Sequence, residues 1–196
     1  MMWERPRLVI LKVVKFRAAD YGGDVAGILA LNGDGLRTMA LAPWECVSPA
    51  AREELNKRTA RRLFPEGRSP EGAMAGLYLY ISALDEAHKI AQDLNTPEGS
   101  FWHGIMHRQE PDAANASYWF RQVGKHPIFP ALRQGALQYG YDAGSEWDPF
   151  GFIEFCESAR VRPGSEEEAA AMRVQLLEWQ LLFDYCARDG AREKTS

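Results

Sequence analysis

Three times in its first half the chain sets a hydroxyl residue directly before a proline: Ser48-Pro49, Ser69-Pro70 and Thr96-Pro97. A Ser or Thr side chain accepts from the orphan N–H groups that open a helix. Proline at the first helical position gives up an N–H that has no partner there anyway. Each pair therefore marks a helix start, and the chain between them has to be helical or irregular.

The spacing predicts a helix from Ser48-Pro49 to about Leu63, stopping before Pro65. A longer one opens at Ser69-Pro70, where Met74, Leu77, Ile81, Leu84, His88 and Ala91 follow the 3,4 spacing of a core-facing stripe. Thr96-Pro97-Glu98 opens the next, which Pro111 ends, because the residue before proline is pushed out of the α region. Asp112 caps another, running through Ala116, Trp119, Phe120 and Val123 to Gly124.

Upstream, Val25 to Leu31 forms a short helix ended by the turn Asn32-Gly33-Asp34-Gly35, and residues 36–47, with Pro43, are irregular. Downstream, helices are expected at about 130–141 and 149–160. Ser165 and Glu168 then form a capping box for a last helix through Met172, Leu176, Trp179 and Phe183. Residues 7–17 fit a helix or a strand, since Leu8–Leu11, Val13 and Val14 are apolar while Lys12 and Lys15 suit a helix surface. Alternating strands do not recur, and no period of 20–50 residues repeats. The expectation is an all-α, single-domain bundle of about seven or eight helices over residues 1–196, with 191–196 a disordered tail.

Composition narrows the function classes. The 196 residues are 46% hydrophobic, enough for one sizeable core. A net charge of −4 without a basic stripe argues against nucleic acid and against anionic membrane surfaces. The three cysteines, Cys46, Cys156 and Cys186, are far apart and form no CxxC motif, so reduced thiols are expected. With no secretory leader and no apolar run long enough to span a bilayer, the chain reads as soluble and cytoplasmic.

The densest chemistry lies in one run, Phe101-Trp102-His103-Gly104-Ile105-Met106-His107-Arg108-Gln109-Glu110-Pro111-Asp112. At roughly 100° per residue, with Phe101 at zero, Glu110, His103 and His107 fall near 180°, 200° and 240°, away from Phe101 and Ile105. Neutral imidazole and carboxylate suit zinc, iron or manganese, so His103, His107 and Glu110 are candidate metal ligands. Asp112, His126 or His88 are the candidates to complete such a site. Arg108 and Arg121, with Asn115 and Tyr118, can hold a carboxylate or phosphate through forked hydrogen bonds.

Three look-alike motifs fail. A zinc peptidase needs Glu directly after the first His, and Gly104 stands there. Asp85-Glu86-Ala87-His88 spells a helicase box but sits mid-helix, without a phosphate-binding loop before it. Gly33-Asp34-Gly35 is a turn rather than a dinucleotide fingerprint, because Thr38 occupies the third glycine position.

The run GSFWHGIMHRQEPDAANASYWFRQVGKHPIF resembles a group of uncharacterised bacterial and fungal proteins with a signature close to WHxIMHRxExDxxNAxYWxRxxGxHP. The likeness spans residues 77–132 and places Asp112 and His126 in the same signature as the histidine pair. It implies no activity, cofactor or partner. DAANASYWFRQVG also resembles half of a Sel1-type helical repeat, of which a single copy cannot build a solenoid.

Two readings of function follow. In one, the His/Glu/Arg cluster lines a polar pocket of an enzyme or small-ligand binder, with or without a metal. In the other, the same residues form a buried hydrogen-bond network inside a structural or protein-interaction module. The concentration of ionisable and aromatic side chains within so short a stretch favours the pocket. The sequence does not choose among a small molecule, another protein and a second copy of the chain as partner.

Overall fold

The computed structural model describes residues 15–189. Residues 7–14 and 191–196, for which a helix or strand and a disordered tail are expected, lie outside the described residues. Ten α-helices follow in chain order: α1 (Gly23–Ala30), α2 (Pro49–Asn56), α3 (Ala60–Leu63), α4 (Pro70–Tyr80) and α5 (Leu84–Ala91). Then come α6 (Pro97–Gln109), α7 (Ala113–Val123), α8 (Phe129–Ala136), α9 (Pro149–Arg160) and α10 (Glu166–Ala187). Single 3-10 turns stand at Ala18–Tyr21 and Leu137–Tyr139, and no strand occurs among the described residues. None of these helices is long and apolar enough to cross a membrane.

The fold class is as expected, and the helix count is higher because two expected helices each break in two. The segment 48–63 divides where Arg58 turns back and donates from Nη1 to the Glu54 carbonyl at 2.8 Å, after which Thr59 is extended. The segment 69–91 divides at Ser82, whose φ is +60°. There the Ser82 N–H bonds the Leu79 carbonyl and the Ala83 N–H bonds the Tyr78 carbonyl, the paired closure of a Schellman motif. A hydroxyl residue takes the place usually given to glycine, so periodicity continues across the break and hides it.

The caps act largely as the sequence predicts. Thr96 Oγ1 accepts from Gly99 N–H at 3.2 Å, and Asp112 Oδ1 accepts from Asn115 N–H at 3.0 Å. Ser69 occupies its cap position but makes no cap hydrogen bond. At α10, Ser165 Oγ accepts from Glu168 N–H, while the Glu168 carboxylate takes the N–H of Gly164 instead of closing back on Ser165.

Two helices run through the interior. Every residue of α4 from Gly72 to Tyr80 is buried, and so is every residue of α6 from Gly99 to Gln109. The expected polar face of α6 is therefore not solvated, because α4, α5 and α7 pack around it. The larger core joins α1–α7 to the second half of α10. In it Trp179 stacks on Tyr80 at 4.5 Å and on Phe183 at 5.1 Å, and its indole N–H donates to the Gly76 carbonyl at 2.7 Å. A smaller core of Leu132, Ala136, Trp147, Phe152, Cys156 and Val174 joins α8 and α9 to the first half of α10. Phe129 and Leu181 pack against both.

Gly104 shows why α6 and α7 lie so close. A Cβ at that position would meet the Phe120 ring at 2.6 Å, and that ring is itself wedged against Phe101 at 5.3 Å. Alanine would gain up to about 1 kcal/mol of helix propensity. Overpacking a rigid core typically costs about 1–3 kcal/mol, so the clash wins. Gly104→Ala is accordingly expected to lower the urea midpoint of unfolding without changing the helical content seen by circular dichroism.

Candidate functional site

Because α6 is surrounded, its side chains are shared among three separate environments. The first holds the histidines. One turn apart on α6, His103 and His107 lie with their rings 5.9 Å apart and nearly parallel, at 13°. His88 of α5 meets both edge-on, at 5.0 Å from His103 and 6.0 Å from His107. On the other side Trp119 of α7 stacks on His103 at 4.0 Å and 8°. Tyr118, half exposed, touches this group only through the edge of Trp119, at 5.3 Å.

His107 is oriented by two partners. Its Nδ1 lies 2.8 Å from Glu110 Oε2, and the side-chain nitrogen of Asn115 lies 3.2 Å from Nε2 and 3.3 Å from Nδ1. Glu110 accepts, so the proton belongs on Nδ1, and the Nε2 lone pair is left to receive the Asn115 amide. The cap at Asp112 sets this up, because it fixes the first turn of α7 and with it Asn115. Glu110 carries the arrangement outward. It lines a polar cavity of about 260 Å³ together with Cys46, Arg52, Ser82, Asp85 and Glu86.

His103 is different. It is 1% exposed, and neither ring nitrogen makes a hydrogen bond of good geometry among the described residues. Burial, reinforced by the neighbouring His88, pushes its pKa down to about 4, with the Gly99 carbonyl one turn back opposing. The ring is neutral at pH 7. Two unsatisfied nitrogens in the interior are costly, at about 1–3 kcal/mol for each buried polar group left unpaired.

The metal expectation is not met. Among the described residues no three His, Cys, Asp or Glu side chains are placed to hold a metal ion. Asp112, expected to help complete the site, spends its carboxylate on the α7 cap.

Arg108 occupies the second environment. It is 2% exposed, and its guanidinium pairs with the wholly buried Glu178 of α10 while lying 4.6 Å over the Phe152 ring. It also reaches Gln175 Oε1 at 3.4 Å, and the Gln175 amide donates to the Met39 and Ala40 carbonyls at 3.3 and 3.2 Å. Burial pushes the Glu178 carboxyl upward against the pull of Arg108. Gln175 and Glu178 were legible in principle. They fall on the buried stripe of α10 with Val174, Trp179 and Leu182, and a polar residue on an apolar stripe calls for a partner.

The third environment takes His126 and Arg121, which the structure separates from the histidine pair. The His126 ring meets Phe101 at 5.2 Å and Tyr185 at 4.8 Å. Its Nδ1 accepts from Ile128 N–H at 3.4 Å, and its Nε2 lies 4.0 Å from Glu98. Burial lowers its pKa to about 4, against the opposing pull of Glu98. Arg121 is exposed and lies over the Phe150 ring at 5.9 Å. Both line a cleft of about 1090 Å³ between the end of α7, α8 and the start of α9. The wall formed by residues 143–148 belongs to a loop without periodicity, so sequence reasoning missed this cleft.

No protein-family model, curated protein or solved structure matches the chain.

Two consequences can be measured. Removing one member of the Arg108–Glu178 pair leaves the other charge buried alone, which costs about 3–5 kcal/mol. Arg108→Met or Glu178→Gln should therefore destabilise strongly in urea titrations, and Arg108→Met with Glu178→Met should recover much of the loss. As to pH, His103 and His126 bind a proton near 6.5 when unfolded but only near 4 when folded. Between those values the unfolded state holds more protons, so stability falls as pH drops from 6.5 toward 4 and is unaffected above 7. Urea midpoints across that range should show a shallower slope in His103→Phe than in the wild type.

Proposed function

We propose that this helical protein binds a small polar ligand at the imidazole cluster of His88, His103 and His107, with His107 as the group that exchanges a proton with it. The observation that carries the reading is His103. A neutral ring with two unpaired nitrogens, clamped under Trp119, is an expensive way to fill core space when phenylalanine or leucine would do. Sites retained against stability in this way are characteristic of binding and catalysis.

The chemistry assigns distinct roles. His103, held neutral, offers one donor and one acceptor to a ligand. His107 has its tautomer set by Glu110 and Asn115, as a general base is set by an orienting carboxylate. Glu110, bonded to His107, also lines the polar cavity beside Asp85 and Glu86. The buried-network alternative draws its support from Arg108, whose two terminal nitrogens reach Glu178 and Gln175.

His103→Phe separates the two. It keeps the stacking on Trp119 and removes both nitrogens, so a ligand site predicts unchanged or increased stability. A network role predicts a loss of about 1 kcal/mol or more per broken hydrogen bond. In parallel, a fragment library followed on the imidazole 1H–15N signals should perturb His103 and His107 in the wild type and leave the variant unaffected. Destabilisation of His103→Phe together with a library that moves neither ring would overturn the reading.

A further inference from the structure

The cleft of about 1090 Å³ carries a second inference that does not depend on the imidazole cluster. Its walls are aromatic. Phe120 of α7, Phe129 of α8, Phe150 of α9 and the connecting Trp147 all line it. Trp147 is 6% exposed and packs against Tyr141 and Phe152, and its indole N–H finds no acceptor among the described residues. The cleft is large enough for an organic molecule, and the Trp147 ring forms part of its wall.

The charges around this cleft are uneven in what they have left to offer. Three cations line it, Arg121, Lys125 and Arg133. Arg133 has turned its Nε to the Gly144 carbonyl at 2.5 Å, and neither Arg121 nor Lys125 makes an ion pair among the described residues. Of the two acids, Asp148 is engaged, because its carboxylate accepts the Phe150 N–H at 2.9 Å and caps α9. Glu146 is exposed. The remaining balance at the α7 end is positive, beside an aromatic interior. A guanidinium and an ammonium next to an apolar wall complement a molecule with an anionic head and an apolar body.

We propose that this cleft binds a small amphipathic organic anion. Its acidic head group sits on Arg121 and Lys125, and its apolar body lies against Phe120, Phe129 and Trp147. Neither cation is needed for folding, since both are exposed and unpaired, so they can be removed without disturbing the core.

The test uses 2-naphthoate as the probe and the neutral 2-naphthylmethanol as its control, titrated into the full chain by calorimetry and by the indole 1H–15N signals. Saturable one-site binding of the anion, a shift of the Trp147 signal (assigned with Trp147→Phe), and at least tenfold weaker binding of the alcohol are expected. Arg121→Gln with Lys125→Gln should weaken naphthoate about tenfold or more while leaving the unfolding midpoint unchanged. Equal binding of alcohol and acid, binding unaffected by the double substitution, or no saturable binding up to the solubility of the probe would each overturn the proposal. Phe150→Ala, at a partly exposed wall position, gives a second variant, expected to weaken both probes in parallel.

Discussion

A charge pair with no access to water stands at the centre of this protein. Arg108 and Glu178 are each essentially unexposed, and the ionic forms of both would be prohibitively costly there without one another. The pair joins the end of α6 to the middle of α10. Through Gln175 it also grips the Met39 and Ala40 carbonyls, the backbone of an otherwise irregular segment. Apolar packing tolerates sliding, whereas a bidentate ion pair set over the Phe152 ring does not. The register of the two longest buried surfaces therefore rests on it.

That register decides what the rest of α6 can do. With Arg108 directed to α10 and Gly104 pressed under Phe120, the opposite face of the helix carries His103 and His107 against α5 and α7. The result is a separation of chemistries along one helix. Its ionic face pairs the Arg108 guanidinium tip with Glu178. On its imidazole face His103 is neutral and its nitrogens have no hydrogen-bond partner of good geometry among the described residues, while His107 bonds Glu110. Helix α7 has a comparable double use: its first turn supplies Asn115 to His107, and its last turn presents Arg121 to the cleft on α8 and α9.

Much of this was legible in the residues, and what was not has identifiable causes. The helix starts were readable because Ser48, Thr96, Asp112 and Ser165 act locally, within four residues of the groups they satisfy. The break at Ser82 was not. A left-handed turn closed by a serine carries no glycine signal, and the apolar spacing runs through it uninterrupted. The wheel of α6 put His103, His107 and Glu110 on one side, away from Phe101 and Ile105, but it could not show that α5 and α7 enclose that side. His126 and Asp112 were grouped with the histidines by closeness in sequence, yet one lies behind Phe101 and the other serves as a cap.

The sequence by itself determined the all-α class seen in the described residues, where most helices begin, and which short stretch concentrates the ionisable groups. Those properties depend on caps, prolines and periodicity, which act over one or two turns. The tertiary structure alone decided which of those groups meet. Arg108 found Glu178 seventy residues away, His103 came to lie between His88 and Trp119, and His126 and Arg121 went to a different cleft. The physical reason is that partner choice for a buried charge or imidazole is set by which helices pack against it. That packing follows from the summed burial of two cores, to which no single segment holds the key.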